Sequence, residues 1–538
     1  MAELNHECGV AAIYHLSGRG RSPICTDDGP RQISRLLPRM LLDIQNRGQL
    51  AAGMTTFNPD LPSLLKTRRD VGTVTEVFRL NHRAKAESLM RSLAGRAAIG
   101  HVRYATCGED DRNYAQPFER RHIHKRKWFS FCFNGQLSNY TLLKERLLAD
   151  GDHHLALDTD TEIILHELGR VMSQTSGRLD WIEVLRKTTA DFDGAYCLAI
   201  LTAEGEMIIA RDPLGMKPMC FIHEGPLFAA ASESVALLNL GFEPNQIQSL
   251  PPGCAILIDH EHGFRIERFA PKQTSKHCFF EWVYFANVAS TLDDRSVYLT
   301  RTNLGRELAD AERAFGRVPL DDPDTIIVPV PDTSKAAADS MAYELSIPCR
   351  EGLIRNRYAG RTFIEGGRAR KAKAATKYTP LREVLQGKRV ILVEDSIVRS
   401  TTMNALLDRI RDAGGAREIH VRVACPPIMA PCFYGIDMST IDQLIGPRYF
   451  DIDEDLDEDA QQRLADDLGA DSLRYLPVAA LSRAICLPAN QLCQACVTGD
   501  YPTPVGQHLY QIACDNRGTK IDTQRTYEQL AAAVATQV

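Results

Sequence analysis

The stretch Arg389–Thr402, RVILVEDSIVRSTT, decides how the second half of the chain folds. Val390, Ile391, Leu392 and Val393 form an unbroken aliphatic run, the pattern of a parallel strand buried on both faces. Beyond the loop, Met403, Leu406, Leu407 and Ile410 recur at helical spacing and predict an amphipathic helix from Met403, ended by Gly414-Gly415. Glu394–Thr402 is then the loop between the carboxyl end of a strand and a helix N-terminus, the place where open α/β sheets bind ligands. Loop amides and a helix N-terminus favour a phosphate there, and the hydroxyls of Ser396, Thr401 and Thr402 add hydrogen bonds. Glu394 and Asp395 are poor partners for a phosphate on their own. They fit a site where they hold sugar hydroxyls, or a Mg²⁺ that itself meets phosphate oxygens.

Outward from this loop, strands and helices alternate from about residue 280 to 430. TIIVPV is followed by a helix through Ala336–Leu345, RVILV by the helix from Met403, and then comes EIHVRVA. That alternation predicts an α/β domain with a parallel sheet. Residues 8 to about 270 read differently. Short β-like runs dominate (AAIYHL, RAAIGHVRY, FSFCFNG, AYCLAILTA, MIIARD, CAILIDH), interrupted by helical stretches around Ile33–Gln45 and Thr161–Met172. Strand runs with separate helices predict an α+β layered domain. The polar turn Ala270–His277 marks a boundary. The tail after 440 reads as mostly helical, and its acidic run DIDEDLDEDA as a solvated helix face.

The 538 residues suffice for two or three domains. A net charge of −6 argues against a general nucleic-acid or membrane-surface binder, so any anion site is local. No run approaches the roughly 18 apolar residues of a membrane span. MAELNHE has neither the basic nor the apolar part of a signal peptide, so the 15 cysteines read as thiols or metal ligands in a cytoplasmic protein.

RVILVEDSIVRSTT resembles the phosphoribosyl pyrophosphate (PRPP) signature of type I phosphoribosyltransferases, and more closely that of glutamine PRPP amidotransferases. IIVPVPDTSKAA and GLIRNRYAGRTFIE match the same family upstream. The resemblance implies that Thr333, Glu394 and Asp395 approach one Mg²⁺ per subunit. It also implies that Asp395, Ser396, Ile397, Val398, Arg399, Ser400, Thr401 and Thr402 bind PRPP, the loop cradling its 5-phosphate. Arg355–Lys377 carries eight Lys/Arg against one acid and reads, beside a polyphosphate site, as a lid over PRPP.

CGVAAIY, QNRGQLAAGM, GHVRYAT, FNGQLSN, DTDTE and GAYCLAI resemble the N-terminal-nucleophile glutaminase domain. The fold implied is an αββα N-terminal-nucleophile hydrolase domain over residues 8–270, followed by the transferase domain and a helical tail over 271–538. Met1–Glu7 would be a propeptide. Its removal frees the α-amino group of Cys8, whose pKa of roughly 8 lets it take the thiol proton. By the resemblance Cys8 attacks the glutamine amide, Asn134 and the Gly135 amide stabilise the oxyanion, Arg103 holds the α-carboxylate and Asp160 the α-ammonium.

CQAC, Cys493–Cys496, alone leaves zinc, redox and core readings open. Resemblance adds Cys278 and Cys432, and the four together match the [4Fe-4S] ligands of one branch of the family, one cluster per subunit. The family further implies an internal passage for ammonia, a homotetramer and purine-nucleotide feedback; no nucleic-acid or membrane partner is expected. Departures from its pattern are Glu394 for the first Asp, Ser400 for a Gly, Ala374 and Ala375 where Arg is frequent, Asn46 for a His, and an insertion-like stretch over about residues 17–31. The expected activity is amidophosphoribosyl transfer, the entry to purine synthesis. Its rivals are an amidotransferase with another acceptor and a non-enzymatic PRPP- or nucleotide-binding paralogue that senses redox state.

Overall fold

The structure, a computed structural model, describes residues 8–16, 20–25, 29–104, 111–149, 151, 154–175, 177–356, 378–436, 438 and 440–518. The expected segment Met1–Glu7 and, apart from Arg355 and Asn356, the basic segment through Lys377 with Ala374 and Ala375 lie outside these residues.

The first half carries β1 (Gly9–His15), β2 (Ala51–Phe57), β3 (Leu65–Val71), β4 (Ala97–Arg103), β5 (Phe118–Arg120), β6 (Phe129–Leu137) and β7 (Gly194–Thr202). It continues with β8 (Met207–Arg211), β9 (Cys220–Glu224), β10 (Leu227–Ala231), β11 (Gln248–Ser249), β12 (Cys254–Asp259) and β13 (Gly263–Arg268). They form two antiparallel sheets, ordered β11-β9-β10-β1-β4-β2-β3 and β13-β12-β8-β7-β6-β5. Alternation along each strand explains the stacking. Val10, Ala12 and Tyr14 of β1 point inward and meet Cys132 of β6 and Cys197, Ala199 and Leu201 of β7. Ala11 and Ile13 point the other way, into a layer holding helix Leu37–Asp43. Phe129, Phe131 and Phe133 likewise face helices Tyr140–Ala149, Asp160–Gln174 and Trp181–Thr188. The result is the expected αββα stack.

The second half adds β14 (His277–Cys278), β15 (Thr291–Leu292), β16 (Arg295–Ser296), β17 (Thr325–Pro329), β18 (Leu353–Arg355) and β19 (Tyr378–Pro380). The last strands are β20 (Arg389–Glu394), β21 (Glu418–Val423), β22 (Ser472–Tyr475) and β23 (Leu492–Cys493). β17-β20-β21-β22 make one parallel sheet, with β20 inside it and every residue of β20 buried. Helices Val297–Phe315, Lys335–Leu345 and Ser400–Asp412 share its apolar core. That core runs without a break into the outer layer of the first sheet through Phe279, Phe280, Trp282, Val283, Tyr284 and Phe285.

Several expectations need correction. The helix read over Ile33–Gln45 is a 3₁₀ segment, Pro30–Leu36, followed by an α-helix, Leu37–Asp43, with Pro38 in its first turn. Proline cannot donate the hydrogen bond that would continue one helix through that point. The first half also holds helices Arg83–Ser92, Tyr140–Ala149 and Trp181–Thr188, which were hidden between the strand runs. The helix after β20 starts at Ser400, three residues before its apolar stripe. Most of DIDEDLDEDA precedes a helix: Asp457 caps Glu458–Leu468, its side chain accepting from the Ala460 amide. The tail also returns β22 to the main sheet. In the early insertion, Cys25 is buried in the core with Ile24 packed against it.

Candidate active sites

Cys8 immediately precedes β1, whose register pairs Gly9 with Val102 on β4, so the next position outward brings Cys8 beside Arg103. The Cys8 thiol donates to the Tyr104 carbonyl at 3.5 Å, and Arg103, buried, lays its guanidinium over the Tyr114 ring at 5.3 Å. β1 and β4 are stacked on β6 and β7, which places Asn134 and Gly135 of β6 in the facing sheet. Asn134 is 1% exposed, and among the described residues its Nδ2 has no hydrogen-bond partner. A buried amide donor held without a partner is costly unless something else accepts from it. Gly135 permits a close approach: a Cβ there would stand 1.9 Å from the Ala195 carbonyl oxygen. Asp160, also buried, opens helix Asp160–Gln174 behind the N-cap Thr159.

Polar residues outside the expected set hold these in place. The backbone just before Asn134 is pinned by Gln116, whose side chain accepts from the Phe133 amide at 2.6 Å and donates to its carbonyl at 3.2 Å. His101 Nε2 contacts the same carbonyl at 3.1 Å, and burial pushes its pKa down to about 3, so the ring is neutral and Nε2 carries the donated proton. Beside Cys8, Arg47 Nε donates to the Cys8 carbonyl at 3.2 Å. The same fully buried guanidinium pairs with Glu233 at 2.8 Å and Glu281 at 2.6 Å. Asn46 Nδ2 donates to Glu233 and to the Phe285 carbonyl, both at 3.0 Å. The departure at Asn46 therefore serves as a tie between the two halves.

At the other site, Glu394, Asp395 and Ser396 are all buried at the carboxyl end of β20. Thr333 Oγ1 and Ser396 Oγ donate to the two Asp395 carboxylate oxygens, the latter at 2.7 Å. Asp395's pKa is raised, first by burial, while Ser396, Thr333 and Arg301 oppose that rise. Ile397 and Val398 bury their side chains in the core, leaving only their backbone to face a ligand. Arg399 is tied to Gln443 at 2.6 Å, and Ser400, Thr401 and Thr402 form the first turn of helix Ser400–Asp412.

The four cysteines meet away from both acids. β14 and β23 pair in parallel, setting Cys278 directly beside Cys493. The amides of Met429 and Ala430 donate to the Cys496 carbonyl at 2.8 and 3.1 Å, bringing the Cys432 segment to CQAC. All four sulfurs line one cavity with Met216, Lys217 and Tyr501. Among the described residues no three His, Cys, Asp or Glu converge tightly enough to hold a single metal ion.

Residues 66–251 match the family described as a glutamine amidotransferase domain. The amidophosphoribosyltransferase of Methanothermobacter thermautotrophicus is 35% identical over 94% of this chain and 96% of its own. The chain belongs to the amidophosphoribosyltransferase family. The Bacillus subtilis amidophosphoribosyltransferase is 34% identical over 94% of this chain and 96% of its own. A solved structure of the glutamine PRPP amidotransferase from B. subtilis, complexed with ADP and GMP, superposes with a TM-score of 0.76 at 32% identity, over 93% of this chain and 98% of that one. As an amidophosphoribosyltransferase, the chain is a glutamine-dependent pentosyltransferase of the first step of purine biosynthesis.

Arg47, His101, Gln116, Glu233 and Glu281 were not singled out from the sequence. Arg47 and His101 sit inside the quoted QNRGQ and GHVRY, so their signal was present. Glu233 and Glu281 had none, because each meets Arg47 from more than 180 residues away. For Asn134→Ala, glutamine-dependent turnover should fall roughly 10²- to 10³-fold, the scale for one oxyanion donor. Ammonia-dependent turnover should stay within twofold. Steady-state assays with each donor check this, and a loss under fivefold with glutamine would remove Asn134 from the oxyanion site.

Proposed function

We propose that residues 8–270 form the glutaminase and 271–538 the transferase part, with its tail, of this amidophosphoribosyltransferase, with the site roles as follows. The carrying observation is the buried Nδ2 of Asn134, without a partner among the described residues, in the sheet facing Cys8. Removal of Met1–Glu7 gives Cys8 a free α-amino group, which takes the thiol proton. The thiolate attacks the glutamine side-chain carbon. Asn134 and the Gly135 amide stabilise the resulting oxyanion, while Arg103 and Asp160 hold the substrate's carboxylate and ammonium. Collapse releases ammonia and leaves a thioester, which water hydrolyses to glutamate. Ammonia then attacks C1 of PRPP and pyrophosphate departs, giving 5-phosphoribosylamine.

In the transferase site the Ser396–Thr402 amides and hydroxyls receive the 5-phosphate at the start of helix Ser400–Asp412. Two buried carboxylates beside a hydroxyl suit a hard cation, and Thr333, Glu394 and Asp395 would hold Mg²⁺. When bound, Mg²⁺ offsets the charge of the departing pyrophosphate. The four thiols lining one cavity, rather than converging on a point, suit a [4Fe-4S] cluster with one thiolate per iron. Held by Cys278, Cys432, Cys493 and Cys496, it would clamp β14, β23 and the Cys432 segment together. Purine nucleotides are the effectors, the assembly is a homotetramer and the compartment is the cytoplasm. The ADP and GMP of the B. subtilis complex support the first of these.

The test counts pyrophosphate from PRPP and glutamate in one tube, with glutamine and then with ammonia. Equal amounts of glutamate and pyrophosphate, and little glutamate without PRPP, are expected. No pyrophosphate from either donor would overturn the transferase assignment.

A further inference from the structure

Glu281 belongs to the second half of the chain, yet its carboxylate reaches into the first. Its two oxygens accept from both terminal nitrogens of Arg47, Nη2 at 2.6 Å and Nη1 at 3.0 Å. The third nitrogen of that guanidinium, Nε, is the one that donates to the Cys8 carbonyl. The guanidinium is a rigid plane, so a carboxylate gripping two of its nitrogens fixes where the third points. Glu233 takes the same guanidinium and binds it to the second half again. One Glu233 oxygen accepts from Arg47 Nη1 and Asn46 Nδ2, and the other from the Asn287 amide at 2.7 Å and the Ser290 hydroxyl at 3.1 Å.

The backbone that carries Glu281 is itself held. Glu281–Phe285 is a single π-helical turn with every residue buried, closed by the Ala286 amide donating to the Glu281 carbonyl at 2.9 Å. So short a turn leaves its later carbonyls without helical donors, and π turns recur at functional sites. Arg301, buried on helix Val297–Phe315, supplies the donors. Its Nε reaches the Trp282 carbonyl at 3.0 Å, and its Nη2 reaches those of Tyr284 at 3.0 Å and Ala286 at 2.8 Å. At the far end of this chain of contacts, Cys8 carries the thiol and, once it is the first residue, the amine that takes the thiol proton. A grip on its carbonyl limits how far both can swing, and a misplacement of about 1 Å at a reacting group costs roughly 10²-fold in rate. We propose that Glu281 is a positioning residue of the glutaminase supplied by the transferase half: it aims Arg47 at the Cys8 carbonyl, and Arg301 keeps it there by pinning the turn that carries it. The inference rests on the reading of Cys8 as nucleophile given above.

The test uses the full chain as it matures, its amino terminus checked by intact mass, as wild type, Glu281→Gln, Glu281→Asp, Arg301→Lys and Cys8→Ala. Three rates are measured: glutamate formation with PRPP present, pyrophosphate release with ammonia, and covalent labelling of Cys8 by a diazoketone analogue of glutamine. Glu281→Gln keeps the size of the side chain but sets an amide N–H against the donors of Arg47. Its glutamine-dependent kcat should fall between about tenfold and a hundredfold, with labelling slowed by the same factor. Its KM for glutamine and its ammonia-dependent turnover should stay within twofold. Arg301→Lys keeps the charge but loses the rigid fork that spans three carbonyls, and should show the same pattern at about threefold to tenfold. Glu281→Asp, its charge withdrawn by one methylene, should fall between the two. A glutamine kcat within twofold of wild type in Glu281→Gln would overturn the proposal. Equal losses with glutamine and with ammonia would make Glu281 a support of the whole fold and overturn its positioning role. If Glu281→Gln is insoluble, Glu281→Asp and Arg301→Lys carry the comparison, and an unchanged glutamine kcat in both overturns the proposal. Retained glutaminase in Cys8→Ala would overturn the Cys8 reading itself, which that variant separates from a failure of Glu281 alone.

Discussion

Cys8→Ala should lose at least about a thousandfold of its glutamine-dependent activity and keep its ammonia-dependent activity within twofold. Without the thiolate no thioester forms, and single losses of a nucleophile remove nearly all that the catalytic group contributes. The transferase acids lie in a different sheet, with Thr333 and Ser396 holding Asp395 independently of β1. Ammonia supplied from solution therefore bypasses the lesion. Pyrophosphate release with each donor reads the two outcomes. Retained glutaminase in Cys8→Ala would mean that another group attacks the amide. A parallel loss with ammonia would mean that the change had damaged the fold rather than one reaction.

Asp395→Asn should give the complementary result: at least about a thousandfold less pyrophosphate release with either donor, equivalent to about 4 kcal/mol of transition-state stabilisation. The substitution is nearly isosteric, so Ser396 and Thr333 can still donate to the side-chain oxygen in part. What disappears is a buried negative charge beside Glu394 at the end of β20, the group proposed to face Mg²⁺. Fluorescence or calorimetric titration with PRPP in the presence of Mg²⁺ should show weakened binding alongside the rate loss. A variant within tenfold of wild type with ammonia would show that Asp395 has no part in the transfer.

Much of both domains was legible because their signals are local. The aliphatic run Val390–Val393 is a strand with both faces buried, and Met403, Leu406, Leu407 and Ile410 are the inner stripe of the helix that follows. AAIYHL and FSFCFNG were legible as strands, while which of their residues face inward and which outward is seen only in the stacked sheets. What escaped was non-local or subtractive. Pro38 divides a helical pattern that side-chain periodicity alone reads as continuous. Cys493 and Cys496 announce themselves by spacing. The proximity of Cys278 depends on a two-residue parallel pairing between segments more than 200 positions apart, which no local pattern encodes. The same holds for Arg47, whose partners Glu233 and Glu281 are defined only once both halves are folded. The loop position of Glu394 and Asp395 at the end of a strand was legible, yet the hydrogen bond from Thr333 to Asp395 required the neighbouring strand to arrive first.

The Arg47 arrangement also bears on how the chain is made. A ribosome delivers Arg47 and Glu233 with the first domain, while Glu281 and the aromatic run Phe279–Phe285 follow only after that domain's last strand. Until they emerge, the guanidinium that holds the Cys8 carbonyl lacks one of its two carboxylates and its apolar cover. A nascent or truncated chain ending near residue 270 thus lacks the Glu281 partner of Arg47 and the aromatic cover beside it. Completion of the surroundings of Cys8 is thereby tied to synthesis of the second half of the chain.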